Sequence, residues 1–328
     1  MPQSNLNKFI SKFIGKFIGK FQSRFPSKSF QSQPFGLGLL IIVMVIWGST
    51  FPLMKNAIDT LAPAALVAVR FSIAALALLP FLGRLYPQLL WDGAVLGGLF
   101  FLTMFTQLKG LETIPANRAA FICGFNVVLV PLLAPVFYRW FGRGQSPQSR
   151  GIQFQKWTAA IFALAGLGIM FGGAASWSSG DFWMLLCALA FALHLLYLEL
   201  ISHRHRVMAI TGVQLMVVAG MGLIWAAPIL KTQVGEITNN WWILVYLGLV
   251  VSVFSTSIQM VAQRLVSAPD TALMCTLEPV FATIFAFFLL GEQMNLQGWL
   301  GAIVIVAAML QSQGILPMLF DRAFRSPS

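Results

Sequence analysis

Two formal charges stand deep inside apolar runs of this chain: Arg70, in LVAVRFSIAALALLP, and Glu278, in LEPVFATIFAFFLL. Arg70 falls about nine residues into its run and Glu278 about eight into its own. At 1.5 Å per residue that is about 12–14 Å from an end, near mid-depth of a bilayer. A charge at that depth costs several kcal/mol against lipid, so it needs a cavity or a partner. Facing a central cavity, Arg70 would attract an anionic group, and Glu278 a cationic group or a proton. At a helix interface they would instead be a structural ion pair or hydrogen-bonded anchors. If they pair, deleting one harms the protein more than deleting both, because the survivor stays buried and unpaired.

Weaker chemistry lies nearby. His194 shares a helical face with Tyr197 and reads either as a proton relay or as a satisfied packing histidine. Glu199 and His203 read as a surface pair. Asn126, ahead of Pro131 and Pro135, offers an amide to a substrate or to a neighbouring helix. Pro52, Pro131, Pro135 and Pro279 each remove a backbone donor. Such breaks open backbone groups to a cavity in transporters, or are kinks that neighbours satisfy. Thr50 before Pro52 and Glu278 before Pro279 are the best placed, and Trp47 reads as an aromatic wall or as ordinary packing. Cys123, Cys187 and Cys275 all fall inside apolar runs, as small buried residues do, so no disulfide framework is expected. H-E-x-x-H, a P-loop and G-x-S-x-G are absent from the sequence, and no metal or cofactor is called for.

The elements that position these residues follow from composition. The chain is 58% hydrophobic and 9% charged, against about 25% charged in soluble domains, and lipid is the solvent that suits it. Runs of about 20 apolar residues are long enough to span a bilayer. They occur near 36–55, 61–83, 93–113, 117–138, 156–174, 182–201, 208–229, 241–262, 270–290 and 297–316. The eighth, with Ser252, Ser255, Thr256, Ser257 and Gln259, must face protein or a water-filled cavity. No cleavage site follows the first run, so it is retained as a helix. With the N-terminus cytoplasmic, sixteen Lys or Arg lie inside and only Lys55, Lys109, Arg118 and Lys231 outside, as the positive-inside rule requires. The net charge of +11 sits in loops and in the N-terminal arm, which points to an anionic membrane surface and not to nucleic acid. That arm carries KFISKFIGKFIGKF at 8–21, either an interfacial amphipathic helix or a disordered basic tail.

An internal repeat orders the spans. Residues 155–166 (QKWTAAIFALAG) match 297–308 (QGWLGAIVIVAA) at five of twelve positions, each opening a span. The segment after Ala119 can be laid on the segment after Ala272, with a basic insert near Trp140 to Phe154 in the first half. The matched spans are the fifth and tenth, and five is odd, so the halves cross in opposite directions. The expected organisation is all-α integral membrane: a cytoplasmic arm at 1–34, five-helix repeats at 35–175 and 176–317, and a cytoplasmic tail at 318–328.

WGSTFPLMK at 47–55, LVAVRFSIAALALLP at 66–80 and LEPVFATIFAFFLLGEQMNLQGWLGAIVIVAAML at 277–310 resemble the drug/metabolite transporter superfamily, EamA type. The first half departs from that pattern, with Asn126 and Tyr138-Arg139 where the family often has a proline and a terminal Gly-Glu. The resemblance implies ten helices and carriage of metabolites, amino acids or drugs, mostly outward, in a bacterial inner membrane. The expected function is secondary transport by alternating access, with Arg70, Glu278, Trp47, Thr50, Asn126 and His194 as substrate-binding or coupling residues and protons as a candidate coupling ion. The alternatives are a channel, which would need a selectivity ring, and a membrane enzyme without a recognisable motif.

Overall fold

The computed structural model describes residues 33–141, 154–171, 178–290 and 296–312. The arm motif at 8–21 and the tail at 318–328 lie outside the described residues. The described residues form ten helical spans, α1 to α10, and no strand occurs among them. Seven are single rods or near-rods long and apolar enough to cross a membrane: α1 (Gln33–Ile58), α2 (Pro63–Phe81), α3 (Pro87–Leu111), α6 (Ser179–Ile201), α7 (Val207–Ala226), α8 (Trp241–Ala262) and α9 (Ala268–Leu289). The others are α4, in two pieces (Ala116–Cys123 and Asn126–Phe141), α5 (Phe154–Phe171) and α10 (Leu296–Ser312). A short helix, Val234–Asn239, joins α7 to α8.

Local signals account for the starts. Pro63 and Pro87 sit in the first turn of α2 and α3, where a missing N–H costs nothing. Ser178 and Asp181 close a capping box on α6, and Ser267 accepts from the Asp270 N–H at the start of α9. The apolar exterior is lipid-facing by composition: Ile224, Phe288, Leu296, Val136 and Ile303 are all well exposed, and so continuous an apolar surface suits a bilayer, not water.

The halves contact each other in a repeating pattern. α2 packs along α7 and α5 along α10, each span against its counterpart five later. α3 packs on α6 and α7, and the counterpart contacts, α8 on α1 and α2, are also made. α9 lies on α1 as α4 lies on α6. Both α4 and α9 open with an eight-residue helix that stops at a cysteine, Cys123 or Cys275, before a break. That places Ala120 opposite Ala272, one residue from the register expected after Ala119, because helix ends and not apolar identity set the register.

Two faces can be named by their helix ends, the near face where α1 begins and the far face where it ends. Lys55 to the Leu111 carbonyl, Arg118 to Asp181, and the Ala62 N–H to Gln233 all join far-face ends. Tyr86 to His205, Tyr138 to Glu199, and Arg264 to the Ser202 carbonyl all join near-face ends. Each contact respects the alternation of ten crossings.

Candidate translocation site

Three breaks shape the centre of the bundle. α1 is interrupted at Ser49, α4 at Gly124–Phe125 and α9 at Thr276. Proline supplies part of the cause: Pro52 and Pro279 cannot donate to the carbonyl one turn back. Side chains take up the loosened carbonyls: Thr50 donates to Trp47 O (2.6 Å), Asn126 to Cys123 O (2.9 Å) and Thr276 to Leu273 O (2.7 Å). Gly48 lets α1 approach α9, because a Cβ there would stand 2.4 Å from the Phe281 Cβ.

Around these breaks lies a cavity of about 460 Å³, counting its open mouth. Its lining comes from Trp47, Thr50 and Met54 of α1, Arg70 of α2, and Phe100, Thr103, Met104 and Gln107 of α3. Cys123, Phe191, Val251 and Glu278 complete it from α4, α6, α8 and α9. Every lining residue lies within a residue of its helix midpoint or beyond it toward the far face.

Arg70, 3% exposed, donates through Nε to Ser252 Oγ at 2.9 Å and through Nη1 to Met54 Sδ at 3.4 Å, with its guanidinium 4.9 Å from the Phe71 ring centre. It has no carboxylate within 4.0 Å among the described residues. Glu278, 8% exposed, forms no ion pair among them either and lines the same cavity. The two charges are therefore not a structural salt bridge to each other. They enter from opposite halves of the chain.

α8 holds this arrangement. Residues Leu247–Ser255 form a π-helical stretch, a geometry that concentrates at functional sites. Ser252 donates to Leu247 O at 2.8 Å while accepting from Arg70. Ser255 donates to Val251 O and accepts from Trp47 Nε1 at 2.7 Å. The polar eighth span thus faces protein, anchoring the cation and the indole that line the cavity.

Trp47, Thr50, Arg70 and Glu278 are brought together; Asn126 and His194 are not. Asn126 satisfies its own helix break and does not line the cavity. His194, 1% exposed, sits one layer back, its ring between Phe100 (5.3 Å) and Phe191 (6.0 Å), with Nε2 3.1 Å from Gln214 Nε2. The α3 stripe Phe100, Thr103, Met104 and Gln107 escaped the sequence reading. Its signal was the helical spacing of Thr103 and Gln107 in an otherwise apolar span. The three cysteines are free and buried, and Cys123 Sγ lies 3.7 Å from Cys187 Sγ.

The near face is closed by polar contacts. Asp92 accepts from Tyr197 OH (2.7 Å) and pairs with His205 Nε2 (2.6 Å), with Arg204 at 3.9 Å, and His205 Nδ1 meets Tyr86 OH at 2.7 Å. Arg264 donates to the Ser202 and His205 carbonyls, and burial lowers its guanidinium pKa from the ordinary value. Glu199 is not a surface residue. It is 5% exposed, accepts from Tyr138 OH, and takes the Ala268 N–H at 2.8 Å. The start of α9, an orphan donor with partial positive charge, draws the carboxylate inward.

Ten helices in two inverted halves around a charged, aromatic-walled cavity define an integral membrane transporter. The EamA-like transporter family model matches residues 34–172 and again 178–311, and the chain belongs to that family. An uncharacterized transporter of Archaeoglobus fulgidus is 30% identical over 279 residues, 83% of each chain. The uncharacterized inner membrane transporter YedA of Escherichia coli K12 is 28% identical over 286 residues, 83% of this chain and 89% of that one. A solved crystal structure superposes with a TM-score of 0.68 at 15% identity, over 85% of this chain and 98% of that one, a likeness of fold.

Proposed function

We propose that the chain is a secondary transporter that moves a small metabolite or drug outward by alternating access, from a bacterial inner membrane with both termini cytoplasmic. One observation carries the reading: a cation, Arg70, and a carboxylate, Glu278, enter one central cavity from opposite halves without pairing. Unpaired charges at mid-depth are costly, and are explained if a solute or an ion completes them. The mixed polarity suits a zwitterion, with a proton on Glu278 as a coupling ion, and the Trp47, Phe100 and Phe191 walls suit its apolar part. On the proposed topology the cavity faces outward and the Asp92 and Glu199 contacts close the cytoplasmic side.

The test is uptake by proteoliposomes offered a panel of labelled amino acids, purines and organic cations. Saturable uptake of one class, cut at least about tenfold by Arg70→Ala or Glu278→Gln in folded protein, is the expected result, since about 1.4 kcal/mol of lost binding is tenfold. Normal transport by both variants overturns the site, and no uptake of any class, with or without a proton gradient, counts against the function.

A further inference from the structure

Of the repeat-related polar pairs the cavity takes one member each: Thr50, Arg70 and Gln107 line it, and their counterparts His194, Gln214 and Gln259 do not, whereas Trp47 and Phe191 line it together. Gly97 of α3 has the Gln214 carbonyl and the Val217 side chain against it; Gly248 of α8 has the Arg70 carbonyl and the Ile73 side chain. The same crossing is built twice, and in it Gln214 stands where Arg70 stands. Trp47 and Phe191, 5.6 Å apart, meet edge to face across the pseudo-twofold, and three residues further along each lies Thr50 or His194. Counting outward from the two glycines, and allowing one extra residue for the π-helical stretch, Gln259 of α8 stands where Gln107 of α3 does.

These counterparts are buried and short of partners. His194, Gln214 and Gln259 are 1%, 0% and 1% exposed. Among the described residues, His194 Nδ1, Gln214 Oε1 and Gln259 Nε2 have no hydrogen-bond partner. A buried polar atom left without a partner is destabilising, and apolar side chains of similar size would avoid it. Phe191 and Phe100, which line the cavity, also contact the His194 ring. On the near side, the closed contacts of Asp92 and Glu199 seal the bundle.

We propose that His194, Gln214 and Gln259 form a second half-site, sealed in this conformation, that lines the path when the protein opens to its near face. This rests on the alternating-access reading. An inverted repeat that exchanges the conformations of its halves brings to a near-side cavity the counterparts of what lines the present one. The half-site would take the hydrogen-bonding polar end of the carried solute, with its water. It carries no fixed cation, so an anionic group is held more weakly there than beside Arg70.

The test is sided thiol labelling of the full chain. Gln107→Cys and Gln259→Cys are each exposed to a membrane-impermeant sulfonate methanethiosulfonate, in intact cells and in inverted membrane vesicles, with the unsubstituted chain as baseline. The expected result is modification of the two variants from opposite faces, each about tenfold faster from its own face, as two populated states require. If Gln259→Cys does not fold, Gln214→Cys reports on the same half-site. A Gln259→Cys that stays unmodified from both faces, in chain that transports a labelled solute, overturns the second half-site and leaves the transport reading intact. No modification together with no transport overturns both. Modification of both variants from the same face also overturns the half-site, because one path cannot then be exchanging.

Discussion

At the scale of single residues, the cation is the most informative group. Arg70 is held by one side-chain oxygen, Ser252 Oγ, and one sulfur, Met54 Sδ. A hydrogen bond to a charged group contributes about 1.5–3 kcal/mol, and Ser252→Ala removes it while leaving the charge in place. The expected outcome is a rise of about tenfold in the solute's apparent KM. Arg70→Lys loses the Nε donor, so adding Ser252→Ala to it should change little more, which a double-mutant cycle of uptake measures. Additive losses would mean that Ser252 acts elsewhere. Arg70 and Glu278 were legible in the sequence because a lone charge in an apolar run is conspicuous. Trp47 and Thr50 were legible beside Pro52. Gln214, the one amide in VMAITGVQLMVVAGMGLIWA, offered the same kind of signal and went unread. Glu199 was misread for a different reason. Its partner is the N-terminus of α9, distant in sequence, and no local spacing predicts that contact.

At the scale of helices, packing depends on glycine at the crossings. A Cβ on Gly97 would stand 2.7 Å from the Gln214 carbonyl oxygen and from the Val217 Cβ, whereas Gly98, one residue on, meets nothing within 4 Å. Small residues of this kind let membrane helices approach closely. Gly97→Val is expected to lower stability by about 1–3 kcal/mol, the usual range for overpacking, and to lower the melting temperature of the protein in detergent. Gly98→Ala should leave that temperature unchanged or slightly raised, since alanine favours helix. Equal melting temperatures for the two variants would show that α3 can slide off α7 without cost. The ten spans were legible because hydropathy reports length and composition. The breaks at Gly124–Phe125 and Thr276 and the π-helical stretch in α8 were not, since proline marks a weakness and tertiary contacts decide where the chain yields.

For the whole molecule, the alternating-access reading makes the near-face contacts the setting of the balance between two conformations. Asp92 links α3 to α6 and to the loop after it through Tyr197 and His205, and Glu199 links α6 to α4 and α9. Each charge-assisted bond lost weakens the closed near face by about 1.5–3 kcal/mol, enough to move a two-state ratio by roughly tenfold or more. Asp92→Asn keeps the size of the side chain and removes its charge, so His205 Nε2 loses its carboxylate acceptor while Tyr197 keeps an acceptor. The population open to the near face should rise, and the backbone amides of residues 197–206 should exchange with solvent faster. Amides at the opposite end of α6, around Asp181, should not speed up, because Arg118 and the Ser178 cap still hold them. Hydrogen exchange followed by mass spectrometry compares the two ends of one helix in a single sample. Faster exchange at both ends would mean that Asp92 stabilises the fold as a whole, and unchanged exchange at 197–206 would mean that the near face is closed by its apolar contacts alone.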